Sequence, residues 1–450
     1  MNYQILALYD ITAIQLYIFQ TSKLKDIIGA SALVGNALRE KIEETLGGYE
    51  ILYTGGGNAI LGFDCRKEWK AFNARLSKKL LMEIPGLSFV TVCNDDAKAA
   101  IPDRINDLYA QIAQKKSLGG DDCSINTLPP MAQSASERIP VVIMETDPVD
   151  AGDYSHAAWL KREEGKNAIA RFGGPTELDK IAKKPEGLDN AERIMAVVHI
   201  DGNRMGDLFK DACDGENALQ NIAELSERVR NAFYKSFEKM SEGIPGNHWR
   251  KIYMAGDDVT YVCHGVYALK SVIDFLTEFN EIVSDEKNKL PPNLSVSAGI
   301  AYVKPHFPFD RAYEIAERRC KSAKREAREQ EDTGSWFDFE IVRGSQSAES
   351  LSGTRMRPYC VTGQSRKNDV KKLQNWLHTI QDKAGARSKW KALRSAYLTG
   401  NMDSVKKLME SCGLTPPGKD EESVAFDALD LMDVEVSRNG NNTSEGGGAK

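Results

Sequence analysis

The chain has 450 residues, 41% of them hydrophobic, which is enough for two or three domains with real cores. Its formal net charge of -6 gives no overall attraction to nucleic acid, so such contacts must come from local basic patches. The apolar runs are shorter than the roughly 18 residues that cross a bilayer, and no export signal is evident, so we expect a cytoplasmic protein. Eight cysteines without a Cys-x-x-Cys pair argue against a zinc ribbon and a disulfide framework.

The hydrophobic pattern of residues 1–147 predicts a ferredoxin-like α+β domain. We expect strands at 3–9, 50–53, 59–63, 87–93 and 139–146 and helices at 24–46, 71–82 and 97–116. The order βαββαβ predicts one sheet with its helices on one face. The hairpin tip between the second and third strands carries Gly55, Gly56, Gly57 and Asn58. A phosphate or a base can closely approach the backbone N–H groups of such a tip, although glycine-rich tips are also typical of plain turns.

Residues 148–190 predict a linker between two domains. The segment is rich in Asp, Gly, Lys and Pro, and only the stretch 157–166 has helical character. No cysteine falls between 124 and 212, so we do not expect a zinc site in this linker.

The hydrophobic pattern of residues 191–345 predicts a second domain of the same kind as the first. Its expected elements are strands at 194–200, 294–303 and 336–342, a β-hairpin at 251–264, and helices at 218–239, 267–283 and 309–330. The two domains therefore have the order strand, helix, hairpin in common, which indicates a degenerate internal repeat.

Three carboxylates stand at strand ends in this second domain. Asp201 directly follows the apolar run 194–200, and Asp257 and Asp258 stand at the hairpin tip after Gly256. Adjacent acids repel each other and gain nothing from burial, so the pattern indicates a bound cation. Oxygen ligands suit Mg²⁺ or Mn²⁺. Surface turns are also rich in aspartate for local reasons, and it is the third acid at the nearby strand end that favours a metal site.

The helix at 309–330 carries a row of four basic residues on one face, because they stand at i, i+3, i+4 and i+7. The four are Lys321, Lys324, Arg325 and Arg328. A solvated face paired with glutamates is the ordinary explanation, and we expect it for Lys321 and Arg328.

The pattern of residues 346–434 predicts a helical domain, and the composition of residues 435–450 predicts a disordered tail. The expected helices are at 370–380, 387–398 and 403–412. The segment 365–395 holds nine Lys or Arg against two acids and includes Trp376 and Trp390. That composition suits RNA binding, but tryptophan at helical spacing is more typical of a core.

The segments IDGNRMGDLF and MAGDDVTYV resemble the second palm domain of the large polymerase-like subunit of type III CRISPR effector complexes. That family usually has DGDxMG and GGDD, so the sequence departs from it at Asn203 and Ala255 and keeps the three acids. The segments DITAIQLYIF, KLKDIIGASALVGN and YTGGGNAILGF resemble the first palm domain of the same family. Diguanylate cyclases with a GGDEF hairpin are more distant relatives, and they fit less well because Val259 follows the second acid.

The resemblance implies an α+β protein with two ferredoxin-like palm domains and a C-terminal helical domain. It implies that Asp201, Asp257 and Asp258 are catalytic and hold two Mg²⁺ or Mn²⁺ ions, and that the first palm binds no catalytic metal. It also implies that Lys324, which follows Ala323 in AERRCKSAKREAR, reaches a triphosphate. The nucleotide-binding residues that it implies are Gly202, Asn203, Gly256, Lys324, Gly55, Gly56, Gly57, Asn58 and Ser31. Because the chain contains no His-Asp dipeptide, we expect the HD nuclease domain of many members to be missing.

The function that the resemblance implies is conversion of ATP into cyclic oligonucleotides, in particular cyclic oligoadenylate, as second messengers in prokaryotic antiviral defence. Two alternatives stay open: a diguanylate-cyclase-like or template-directed nucleotide polymerase, and a non-catalytic scaffold of an RNA-guided complex. The implied partners are nucleotides and other CRISPR effector subunits with guide and target RNA. A stand-alone enzyme acting as a homodimer is the other possibility.

Overall fold

The computed structural model of the chain describes both predicted hairpins, with the exception of Gly56. The described ranges are 3–21, 23–35, 37–45, 50–55, 57–118, 132–134, 139–146, 152–188, 191–213, 217–343, 355–365, 367–383, 387–418, 421–432 and residue 434. The predicted tail at 435–450 also lies outside the described residues.

The first part of the chain forms an antiparallel sheet in the strand order β2-β3-β1-β4. Its strands are β1 (Ile5–Thr12), β2 (Glu50–Gly55), β3 (Asn58–Phe63) and β4 (Ser88–Asn94). Its helices are α1 (Ile14–Phe19), α2 (Leu24–Gly35), α3 (Ala37–Thr45), α4 (Arg66–Glu83) and α5 (Ile101–Ser117). The order of elements and of strands is ferredoxin-like, as the sequence predicts.

Helices cover both faces of this first sheet, so the prediction of helices on one face is wrong. Ala7 and Tyr9 of β1 pack in the same cluster as Phe72 of α4, whereas Leu6 and Leu8 pack with the apolar side of α5. The reason is the period of two in a strand, which sends successive side chains to opposite faces. Because both sets are apolar, each face needs its own covering layer.

The strand predicted at 139–146 does not join the palm sheet. Its described strand, β5 (Ile143–Glu145), pairs only with β6 (Gly152–Tyr154) in a separate two-stranded sheet of the described residues. The segment that follows contains α6 (His156–Phe172), which is longer than the predicted helix at 157–166, and α7 (Leu178–Ile181).

Helix α6 packs closely on α2, so the helix inside the predicted linker belongs to the body of the protein. The two helices touch through glycines. A Cβ on Gly29 would lie 1.7 Å from the carbonyl oxygen of Lys161, and a Cβ on Gly165 would lie 2.2 Å from that of Lys25. The backbones of the two helices are therefore in direct contact, and only residues without a side chain fit at these points.

The second sheet has the order β12-β11-β10-β7-β9-β8. Its strands are β7 (Met195–Gly202), β8 (Trp249–Ala255), β9 (Asp258–His264), β10 (Val296–Val303), β11 (Trp336–Ile341) and β12 (Tyr359–Cys360). Its helices are α8 (Met205–Ala212), α9 (Ala218–Ser241), α10 (Gly265–Ser284) and α11 (Phe309–Glu329). The inner order β10-β7-β9-β8 repeats the order β4-β1-β3-β2 of the first sheet, which confirms two ferredoxin-like palms.

One continuous core joins the two palms. Ile27 and Ile28 of α2 lie in the same apolar cluster as Val197 of β7 and Ile252 of β8. A second cluster contains Ile222 of α9 together with the α5 face of the first sheet. Helices of each palm therefore cover apolar strands of the other, and the relative position of the palms is set by burial of these side chains.

The C-terminal region is helical, as predicted, and is joined to the second palm by buried ion pairs. Its helices are α12 (Val370–Lys383), α13 (Arg387–Leu398), α14 (Met402–Ser411) and α15 (Glu422–Leu431). Asp430 of α15 lies 2.7 Å from Arg343, which follows β11, and 2.5 Å from Arg394 of α13. Trp376 and Trp390 pack against the main core, which supports a packing role for both.

Among the helices in the described part of the chain, none is both long enough and apolar enough to cross a membrane. No disulfide joins the described cysteines, and most of them are buried.

The α2–α6 contact yields a matched test on one helix. We expect Gly29→Ala to lower the free energy of unfolding by at least the roughly 1–3 kcal/mol typical of overpacking, because its Cβ meets backbone. Gly35→Ala on the same helix meets nothing within 4 Å and should change stability by no more than about 1 kcal/mol. Urea denaturation followed by circular dichroism measures both. Equal urea midpoints for the two variants would contradict a close backbone contact between α2 and α6 at Gly29.

Candidate active site

Three aspartates come together where β7 ends beside the tip of the β8–β9 hairpin. Asp201 pairs in register with Asp258 across β7 and β9. The backbone N–H of Gly202 donates to the carbonyl of Asp257 at 3.0 Å, which ties the strand end to the hairpin tip. A Cβ on Gly202 would lie 3.0 Å from Asp257 Oδ2, so the glycine allows this carboxylate to approach the strand. Gly256 turns the hairpin with φ 61, a conformation that favours glycine.

Asp201 and Asp258 have different hydrogen-bond and ion-pair partners. Lys324 of α11 places its Nζ 2.5 Å from Asp201 Oδ2 and 2.8 Å from the carbonyl oxygen of Gly202. Gln15 of α1 donates from Nε2 to Asp258 Oδ2 at 3.3 Å. His199 Nδ1 lies 3.3 Å from Asp258 Oδ1, which is buried and accepts no hydrogen bond from the described residues.

The site is electrostatically unfavourable for two of its acids. Burial, followed by repulsion from Asp201, raises the pKa of Asp257 to about 7 and that of Asp258 to about 8. Burial lowers the pKa of His199 to about 4, so this imidazole stays neutral at pH 7 and does not compensate their charge. A cation bound between the carboxylates would reverse the effect, because it favours their ionised form.

The donor set fits Mg²⁺ or Mn²⁺ rather than a metal enclosed by protein. In the described ranges, no group of three or more His, Cys, Asp or Glu side chains is arranged so that it alone could hold a metal ion. Mg²⁺ commonly keeps several waters and binds through one or two carboxylates and substrate phosphates. The buried oxygen of Asp258 that lacks a hydrogen bond is the atom that such an ion would satisfy.

The basic face of α11 divides in the way that the sequence indicates. Lys324 reaches Asp201, and its side chain is 24% exposed. Lys321 pairs with Glu317 at 3.0 Å, and its side chain is 68% exposed. Arg328 is also exposed. Lys324 is therefore the one of these three that lies at the carboxylates.

The other predicted nucleotide-binding residues lie in different surroundings. Asn203 is buried, and its amide donates to Ser295 Oγ at 3.0 Å and accepts from Ser297 Oγ at 2.9 Å. Its side chain therefore holds the turn after β7 against β10. Ser31 is half-buried on α2. Gly56 lies outside the described residues, whereas Gly55 ends β2 and pairs in register with Asn58.

The first palm repeats the backbone geometry of the second. Asp10 on β1 faces Asn58 on β3, just as Asp201 faces Asp258. Both hairpins carry a register irregularity in their first strand. The carbonyl of Gly57, which has φ 84, accepts from the strand end at 3.0 Å, as the carbonyl of Asp257 does in the second palm.

The chemistry at this equivalent position is different. The Asn58 amide, oriented with its nitrogen toward Asp10, lies 3.0 Å from Asp10 Oδ1. Lys116 near the end of α5 pairs with Asp10, in the position that Lys324 takes beside Asp201. Burial raises the pKa of Asp10, and Lys116 opposes that shift. The first palm thus presents one carboxylate with two donors.

A cavity of about 650 Å³ lies between the two palms beside Asp257. Its walls are mainly aromatic and apolar, with a few amide, hydroxyl and charged groups. It is lined by Tyr53, Asn58, Asn106, Tyr109, Met205, Gly206, Phe209, Lys210, Cys213, Ser226, Val229, Gly256 and Asp257. Both hairpin tips therefore border one space of the size that ligand pockets usually have.

Gln15 and Lys116 are among the site residues that the sequence predictions missed, as is His199. Gln15 lies inside DITAIQLYIF, but no local pattern indicates that a first-palm residue reaches the second palm. Lys116 ends the helix predicted at 97–116. Aligning the two halves of the internal repeat places Lys116 at the position equivalent to Lys324, and this alignment is the signal that could have found it.

The fold and the carboxylates define a polymerase-type palm protein with two palms. Residues 194–332 match the family model described as Cas10/Cmr2, second palm domain. The resemblance of IDGNRMGDLF and MAGDDVTYV to the polymerase-like CRISPR subunit is thereby confirmed for this region. No curated protein shows significant sequence similarity to the chain.

Solved structures of Csm1 have a similar fold. A Csm1–Csm4 cassette in complex with AMPPNP is 16% identical, with a TM-score of 0.60, over 96% of this chain and 70% of that chain. The cassette in complex with cA3 is 15% identical, with a TM-score of 0.59 and the same coverage of 96% and 70%. Csm1 of T. onnurineus is 16% identical, with a TM-score of 0.53, again over 96% and 70%. At these identities the likeness establishes the α+β palm fold.

Proposed function

We propose that the chain is a nucleotidyltransferase that converts ATP into cyclic oligoadenylate by two-metal catalysis in antiviral defence. The observation that carries the proposal is the convergence of Asp201, Asp257 and Asp258 at one strand end, with Lys324 beside them. Further support comes from relatives of similar fold, which were solved with AMPPNP, with cA3 and with one ATP.

The roles of the residues follow from their chemistry. Asp201, Asp257 and Asp258 would hold two Mg²⁺ or Mn²⁺ ions, and the chemistry that these would supply is activation of a ribose hydroxyl and charge stabilisation of the leaving pyrophosphate. Lys324 exchanges its contact with Asp201 for the triphosphate, because a compact ammonium suits polyphosphate charge. Gly202 and Gly256 keep the approach to the acids open, since neither carries a side chain.

The acceptor nucleotide lies against the first palm in this proposal. Asn58 borders the cavity from that side. Gly55, Gly56, Gly57 and Ser31 belong to the same predicted set. The apolar walls, which include Tyr53 and Tyr109, suit a nucleobase, whereas Asp257 stands at the edge where the phosphates react. Reaction of this type depends mainly on positioning and charge neutralisation, so no nucleophilic side chain is required.

The proposed assembly is a complex with other CRISPR effector subunits. The proteins of similar fold include Csm1–Csm4 cassettes, which supports a Csm4-like partner. Guide and target RNA are the further partners that we propose. The basic face of the segment 365–395 is proposed to dock either a partner protein or a nucleic-acid backbone. A homodimer and a non-catalytic scaffold are the alternatives. The proposed domain limits are 1–147, 148–190, 191–345 and 346–434, with α6 packed on the first palm.

The acid pair provides the decisive test of catalysis. Asp257→Ala with Asp258→Ala should abolish product formation, because no other described carboxylate replaces them at the strand end. The melting temperature of the metal-free double variant should not fall, since burial and repulsion raise the pKa of both acids and make their ionised forms unfavourable. Each NTP is supplied separately with Mg²⁺ or Mn²⁺, and products are identified by mass spectrometry.

The matched control is another adjacent pair, Asp95→Ala with Asp96→Ala, which is exposed after β4. This variant should keep wild-type turnover. Wild-type turnover in the Asp257/Asp258 variant would rule out the metal-site proposal. Products other than cyclic oligoadenylate would favour the diguanylate-cyclase-like or template-directed alternative, and no product from the wild type with its RNA-guided partners would favour the scaffold.

Lys324 and Lys321 form a natural pair for testing triphosphate binding. Lys324→Ala should lower kcat/KM for ATP by one to two orders of magnitude, corresponding to roughly 1.5–3 kcal/mol for a charge-assisted contact. Lys321→Ala should have little effect, because that side chain is exposed and pairs with Glu317. Steady-state kinetics with ATP distinguishes the two. Equal and small effects would assign the whole face of α11 to solvent.

Asn58 tests the role of the first palm. Asn58→Ala should leave binding of Mg²⁺ and ATP at the second palm intact, measured by calorimetry, while slowing the joining of nucleotides. The reason is that Asn58 borders the cavity and is separate from Lys324 and Asp201. Circular dichroism checks that the variant is folded. Full activity of a folded Asn58→Ala protein would mean that the first palm is only a structural copy.

A further inference from the structure

A first-palm side chain contacts the second-palm carboxylates. Gln15 belongs to α1, yet its Nε2 lies 3.3 Å from Asp258 Oδ2, across 243 residues of sequence. Asp258 has no lysine or arginine partner among the described residues, whereas Asp201 has Lys324. The amide of Gln15 is thus a neutral donor to one oxygen of Asp258, and the other oxygen, Oδ1, is the buried atom without a hydrogen bond.

Helix α1 is fixed independently of this hydrogen bond. At its beginning, the chain leaves β1 through Ala13 with φ 54, and the N–H of Ile11 donates to the carbonyl of Gly57 at 3.0 Å. At its end, the ring of Phe19 stacks on Tyr313 of α11 with centroids 4.1 Å apart. Because these contacts hold both ends of the helix, the Gln15 amide is not needed to dock α1 on the second palm.

The internal repeat provides a comparison for Gln15. Gln15 follows Asp10 by five residues, and Gly206 follows Asp201 by five residues. The two helices begin alike, since Ala13 and Arg204 before them both have φ 54. Gly206 lines the same cavity as Asn58, which stands in the first palm at the register position of Asp258. Helix α1 thus carries an amide donor that contacts a carboxylate. The equivalent position on α8, which makes no such contact, is a glycine.

We infer that Gln15 is a positioning residue for the metal site of the second palm, so that the first palm helps to build the site it faces. This inference rests on the proposed function. A neutral N–H donor fixes the orientation of Asp258 and leaves its negative charge available to the cation, which an ammonium at the same place would not do. Outer hydrogen-bond partners of this kind typically change metal affinity or activity by 10–100-fold.

The test measures Mn²⁺ binding directly. Gln15→Met keeps the length of the side chain and removes the donor, and Gln15→Ala removes both. We expect both variants to bind Mn²⁺ about 10–100-fold more weakly in a titration followed by electron paramagnetic resonance. Leu16→Ala, one residue further along the same helix and 70% exposed, is the matched control and should bind like the wild type. ATP turnover of Gln15→Met should recover at high Mn²⁺ concentration, as a defect in metal affinity requires.

Unchanged Mn²⁺ affinity in both Gln15 variants would overturn this inference. A loss of turnover that high Mn²⁺ concentration does not restore would also overturn it, because it would indicate a structural role in palm docking. Failure of the proposed function looks different: Mn²⁺ binding would then survive Asp257→Ala with Asp258→Ala. If that double variant loses Mn²⁺ and the Gln15 variants keep it, only the inference about Gln15 fails.

Discussion

The constraint on which the structure depends is the concentration of negative charge at the end of β7. Asp201, Asp257 and Asp258 share one strand end, and burial together with mutual repulsion disfavours ionisation of the last two. Lys324 offsets part of this charge at Asp201. The remaining imbalance is the charge that the bound cations of the proposed function would neutralise. A fold that holds such a site must keep its carboxylates in place against their own repulsion.

The surrounding sheet provides that rigidity. β7 is a central strand whose residues from Met195 to Ile200 are buried, so the position of Asp201 is fixed by packing on both faces. The hairpin tip is tied to the strand end through Gly202 and Asp257, and Asn203 fastens the next turn through two serines. The shared core between α2 and the second sheet then fixes the first palm against this site.

The two palms show how one backbone supports different chemistry. Their registers, turns and strand orders agree, and the difference lies in a few side chains. Where the second palm pairs two carboxylates, the first pairs Asp10 with the Asn58 amide, while Lys116 corresponds to Lys324 of the second palm. An amide donates to a neighbouring carboxylate, whereas a second carboxylate repels it unless a cation lies between them. This single exchange replaces a repulsion between two carboxylates with a hydrogen bond between an amide and a carboxylate.

The sequence by itself predicted two ferredoxin-like palms and placed the three acids at strand ends, because hydrophobic period and strand-end aspartates are local signals. It also distinguished Lys324 from Lys321 through a motif. Only the tertiary structure decided that 139–146 leaves the palm sheet, that helices cover both faces of the first sheet, and that α6 packs on α2 through Gly29 and Gly165. It alone brought Gln15 to Asp258. The physical reason is that these contacts join segments far apart in the chain, where the pairing depends on which apolar faces bury each other, and no local pattern encodes that choice.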